Sequence, residues 1–105
     1  MLDVEKASKR ASIEEVKKLK GLPLDDEGLV DVVRVGLDEL GFEVLLEKYG
    51  GRRGRYSKSI YVVTDKNSKS KCYKVTAIID LDVPAVADVK YAEIPRQVCE
   101  TILQI

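Results

Sequence analysis

Tyr73, Val75, Ala77, Ile79 and Leu81 put a large or apolar side chain at every second position of one stretch. A period of two is the signature of an extended chain with one buried face. Such a strand needs neighbours to satisfy its backbone and a second layer to cover its apolar side, so the rest of the chain must supply both. Upstream, Phe42, Val44 and Leu46 alternate with Glu43 and Glu47, although Leu45 breaks the pattern. Gly50-Gly51 and Gly54 follow as a flexible connection, and a second strand is expected over residues 56–64. Residues 65–70 have turn chemistry and no apolar side chain. The segment 82–92 reads either as an irregular connection around Pro84 or as a short edge strand at 89–92.

The covering layer is helical. Ser12 and Glu15 stand at the spacing of a capping box, which predicts a helix over residues 13–20 carrying Ile13, Val16 and Leu19 and stopped by Gly21 and Pro23. Asp25 or Asp26 can cap a second helix running to Leu40, where Gly41 stops it. Its apolar residues Leu29, Val30, Val32, Val33, Val35, Leu37 and Leu40 occupy most of the circumference, as in a buried central helix. Pro95 suits the start of a last helix with Val98, Cys99, Ile102 and Leu103 as its apolar stripe. The expected fold is therefore α+β in ααβββα order: a three-stranded, possibly four-stranded, antiparallel sheet with helices packed on one face. Residues 1–11 read as an N-terminal tail or frayed helix and 12–105 as a single domain.

A chain of 105 residues with 45% hydrophobic and 34% charged residues suits one ordinary core and lacks the composition of a disordered segment. No apolar run approaches the roughly 20 residues that a membrane-spanning helix requires. Residues 1–11 are charged, unlike a signal peptide. A cytoplasmic protein without a membrane partner is expected. Cys72 and Cys99 are then read as reduced thiols filling small core spaces. One asparagine, two glutamines and no histidine against 36 charged residues is a balance found in proteins of hot organisms.

Charge is unevenly placed. The formal net charge is zero, yet Lys48, Arg52, Arg53, Arg55, Lys58, Lys66, Lys69, Lys71 and Lys74 crowd into one stretch opposed only by Asp65. Nine cations less one anion give that stretch +8 and leave −8 for the remainder. Tyr49, Tyr56, Tyr61 and Tyr73 lie among these cations. Cations that neutralise phosphates, interleaved with rings that stack on bases, are what a nucleic-acid interface requires. The bland alternative is a solvated hairpin whose lysines blunt its edges and whose tyrosines are ordinary strand residues.

The αβββα order of residues 26–105 resembles the double-stranded-RNA-binding domain. That family, however, opens its last helix with a lysine cluster, where this chain has Pro95-Arg96-Gln97. Residues 12–20, 26–40 and the hairpin from Phe42 resemble part of a winged helix with Arg52, Arg53 and Arg55 in the wing, but Asp31 and Asp38 would face the phosphates. Gly54-Arg55-Tyr56 followed by two strands is similar to the core of bacterial ribosome-dependent messenger-RNA interferase toxins, which implies metal-independent RNA cleavage by basic and tyrosine side chains. The initial strand and terminal basic-aromatic motif of those toxins are missing.

Without histidine, a serine or cysteine nucleophile lacks its usual base. Lys74 has Cys72 two places before it and so lacks the glutamate of a Glu-x-Lys nuclease pair, and no glycine-rich phosphate loop is present. Asp80-x-Asp82, which could hold magnesium at a strand end, reads rather as a pair of solvated carboxylates before a turn. The expected function is a non-enzymatic nucleic-acid-binding module for RNA or DNA, dominated by phosphate contacts with weak base specificity and needing no cofactor. Its site would comprise Arg52, Arg53, Arg55, Lys58, Lys66, Lys69, Lys71 and Lys74, with Tyr49 and Tyr56 as stacking platforms. The alternative is a protein-interaction or dimerisation subunit that docks the basic hairpin on an acidic partner, and the third reading is a metal-independent ribonuclease.

Overall fold

Two tight reversals and one polar loop fold the second half of the chain into consecutive antiparallel strands. The computed structural model describes residues 11–104. A 3-10 helix (Ile13–Leu19) and helix α1 (Val32–Glu39) precede strands β1 (Phe42–Arg53), β2 (Tyr56–Asp65), β3 (Cys72–Asp80) and β4 (Ala85–Glu93), and helix α2 (Arg96–Leu103) follows them. The strands pair in sequence order, β1-β2-β3-β4. The α+β class stands, with a full fourth strand between β3 and the last helix that separates the fold from an αβββα arrangement.

Residues facing each other across an antiparallel pair project to the same side, so the registers assign each side chain to a face. Phe42, Tyr61, Val63, Val75, Ala77, Ile79, Val86 and Val89 lie on one face and are buried together with Val16 and Leu19 of the 3-10 helix and Val33 and Leu37 of α1. This is the core. Tyr61, 2% exposed, donates its hydroxyl to both carboxylate oxygens of Asp31 at 2.9 and 3.1 Å. Burial and the facing carboxylate push its phenol far above the ordinary tyrosine range.

The first helix is a 3-10 helix, and the Ser12 side chain caps nothing. With three residues per turn, Ile13, Val16 and Leu19 fall in line on one side, whereas an α-helix would rotate them apart. The second helix begins later than the sequence suggests. Asp25 instead folds a turn by accepting from the N–H groups of Leu29 and Val30. Asp31 is the cap, accepting from Val33 and Arg34. Nor is this helix central: it buries Val33, Gly36 and Leu37, while Leu29, Val30 and Val35 are 79%, 50% and 45% exposed. At Gly36 a Cβ would overlap Leu19 Cδ2, so the missing side chain lets the two helical segments meet.

Cys72 and Cys99 form a disulfide, which corrects their reading as reduced thiols. The error is geometric. Sequence spacing of 27 residues gives no hint that the β3 start and α2 converge until β4 brings the chain back. By register, Cys72 shares the face of Lys74, Thr76 and Ile78, so α2 is tied at a corner of that side, not over the core; of its residues only Cys99 is buried. No helix among the described residues is long and apolar enough to cross a membrane.

Candidate nucleic-acid interface

The face opposite the core carries the basic character of the chain. Reading across the four strands, one row is Leu46, Val62, Lys74 and Ala92; the next is Lys48, Ile60, Thr76 and Lys90; then Gly51, Lys58, Ile78 and Asp88; then Arg53, Tyr56, Asp80 and Ala85. Val62, Ile60, Thr76 and Ile78 are half-buried and form a floor, and Lys48, Lys58, Lys74 and Lys90 are exposed around it. None of these four lysines, nor Arg53, has a carboxylate partner among the described residues. Neighbouring strands lie about 4.8 Å apart and same-face residues about 6.8 Å apart along a strand, so the five cations spread over a patch rather than a line.

Bulges build this face. Unbroken alternation from Phe42 would send Leu46 and Lys48 to the core side, but the register shifts between Val44 and Leu46, and again between Tyr49 and Gly51. Each shift reverses which residues point outward. In β4 the extra residue Ala87 lets Val86 and Val89 both face the core while Asp88 and Lys90 face the open side. Gly50 has a further role: a Cβ there would come within 2.8 Å of Lys58 Cδ, so the glycine lets the lysine stem lie across β1.

Gly50, Gly51, Arg52, Arg53, Tyr56, Ser57, Lys58 and Ile78 line an open cleft of about 500 Å³ at the hairpin end of this face. It joins four of the ten expected site residues. The turn itself is only Gly54 and Arg55, since Arg53 pairs with Tyr56; a positive φ at Gly54 followed by a negative one at Arg55 matches a type II′ hairpin. Arg52 and Arg53 are thus strand residues, not part of a loose loop.

Arg55 is committed elsewhere. Its guanidinium holds Asp80 through two hydrogen bonds of 3.0 and 2.8 Å, and its ring neighbour Tyr56 lies 5.6 Å away. Asp80 also accepts from the N–H groups of Asp82 and Val83. The hydrogen bond from Arg55 holds the Asp80 carboxyl below the ordinary range. Asp80 is therefore a turn-stabilising ion, and no cluster of three potential metal ligands occurs among the described residues.

The remaining expected residues scatter. Lys66 pairs with Asp38 at 2.7 Å and Lys69 with Glu43 at 3.1 Å, at the far end of the sheet. Lys71 is exposed beside Cys99. Tyr49, 64% exposed, pairs with Ser59 and so projects to the helix side; Arg52 pairs with Ser57 and starts on that side too, donating to the Gly54 carbonyl. Sequence reasoning missed Lys90, which sits in a segment without a readable period. It also left Lys48 out of the site, because its face depends on the bulge that Leu45 alone announces. Set against family models, curated proteins and solved structures, the chain matches none.

Proposed function

We propose that this chain is a small nucleic-acid-binding module whose surface is the open sheet face, with Lys48, Arg53, Lys58, Lys74 and Lys90 as phosphate contacts. One observation carries the reading: in a chain with no net charge, five cations without carboxylate partners among the described residues share one sheet face whose middle is half-buried and largely apolar. The carboxylates that reach this face are largely engaged, Asp80 by Arg55, Glu43 by Lys69 and Asp88 by the N–H of Val89. Binding would release counterions from the polynucleotide and weaken steeply with salt.

The test is fluorescence anisotropy with labelled oligonucleotides and a variant carrying Lys48→Gln, Lys58→Gln, Lys74→Gln and Lys90→Gln. Neutralising about four or five phosphates predicts a slope of log affinity against log salt of about −3 to −4.5. The variant should lose most of that slope and bind weakly. Equal binding by both proteins, or none by either at low salt, contradicts the reading.

A second reading rests on the exposed Leu29, Val30 and Val35 and the exposed or half-buried acids Asp25, Asp26, Glu27 and Glu39 that neighbour them in sequence. These residues are complementary to the basic face of a second copy, as a head-to-tail assembly requires. A monomer at high concentration and low salt in sedimentation analysis sinks it.

A further inference from the structure

Resting on the nucleic-acid reading, we infer that the open face is built for single-stranded polynucleotide: unstacked bases lie on the Val62, Ile60, Thr76 and Ile78 floor and one base enters the cleft against Tyr56. Three observations support a single strand over a duplex.

The first is the floor itself. A duplex offers a protein its charged backbone and its grooves, and against a backbone the half-buried Ile60, Val62 and Ile78 would lose water without gaining an apolar partner. An unpaired base brings an apolar face of its own.

The second is shape. To read a groove, a sheet must project a ribbon or helix into it. Here the β1–β2 turn ends flush with the sheet, because Tyr56 pairs with Asp80 and the Leu81 N–H donates to the Arg55 carbonyl at 2.8 Å. The helices on the opposite side are marked by Asp31, Asp38 and Glu39. Helix α2, which the disulfide ties to a corner of the basic side, carries one cation, Arg96, and pairs it with Glu100 at 3.7 Å, so it is not furnished to enter a phosphate-lined groove.

The third is the cleft. Tyr56 is the only aromatic residue that the strand registers place on this face, and it is 43% exposed. Its ring is flanked by the Arg55 guanidinium on one side and opens to a space bounded by Ile78, Lys58 and the side-chain-free Gly50-Gly51. A ring, the Lys58 cation and an empty backbone surface are what a stacked nucleotide with its phosphate occupies, with Arg55 held back by Asp80. Both RNA and DNA single strands present that chemistry.

The deciding experiment measures binding of a 12-nucleotide single-stranded RNA, the same sequence as single-stranded DNA, and duplexes of each, to the natural chain and to Tyr56→Phe and Tyr56→Leu variants. Single strands should bind at least tenfold more tightly than duplexes. Loss of one stacked base in Tyr56→Leu should weaken single-strand binding roughly 5- to 150-fold, with duplex binding unchanged and Tyr56→Phe near the natural level. A preference for RNA or for DNA among single strands identifies the natural source and supports the inference either way. Duplex binding as tight as single-strand binding, or a Tyr56→Leu loss that is equal on both, overturns it while leaving the nucleic-acid reading intact. Absence of binding to all four probes at low salt overturns that underlying reading.

Discussion

Arg55 shows how a residue that looks like a ligand contact can be a structural one. It belongs to the run Arg52-Arg53-Gly54-Arg55, which in sequence resembles a single phosphate-gripping cluster. The fold divides that run: Arg53 points to the open face, Arg52 starts on the other, and Arg55 closes the sheet end by holding Asp80. The pair has a pH signature. A carboxyl whose folded-state pKa is depressed contributes stability that is present above its unfolded value of about 3.9 and is lost as pH falls through the folded value. In a carbon-detected NMR titration Asp80 should therefore protonate below the ordinary aspartate range, and Arg55→Gln should return it toward that range while leaving oligonucleotide affinity nearly unchanged. An unshifted Asp80 in the natural chain, or a large affinity loss in Arg55→Gln, contradicts this division of labour.

Among the elements, strands β2 and β3 are legible in the sequence, whereas β4, the run of β1 through Gly50-Gly51 and the extent of the first two helices are not, for physical reasons. Strand β3 announces itself because Val75, Ala77 and Ile79 each have a buried site on one face. The segment around helix α1 misleads because the seven apolar residues of 29–40 suggest burial all round, whereas the helix takes in only four of them and one side meets the sheet. Val35 of the helix, with Leu29 and Val30 before it, stays exposed, since local pattern cannot say how much partner surface exists. The basic face was half legible: the cations were plain in the sequence, but their sorting depends on three register shifts that composition does not encode. Leu45 was the one visible trace. Helix α2 was legible as a helix and not as a tethered one. Closing a loop of 27 residues, the disulfide restricts the unfolded chain, so Cys72→Ser with Cys99→Ser should lower stability by about 3 to 4 kcal/mol. Because Cys99 is the one buried residue of α2, amide exchange in that helix should rise most, with β2 and β3 still protected. Unchanged exchange throughout α2 contradicts the view that the disulfide holds it.

Over the whole molecule, zero net charge conceals two unlike sides. Residues 11–41, which supply the helical segments over the core, carry eight carboxylates against four cations, and five cations without carboxylate partners among the described residues gather on the open sheet face, a segregation that would orient an incoming polyanion toward that side. The proposed function stands or falls on whether this sheet face is the binding surface. Its most direct test is a methyl NMR titration of the protein with a short single-stranded oligonucleotide at low salt. The methyl signals of Ile60, Val62, Thr76 and Ile78 should move with the titrant while those of Val16, Val33, Leu37 and Val63 stay still. Shifts confined to Leu29, Val30 and Val35, or none at all, would contradict it.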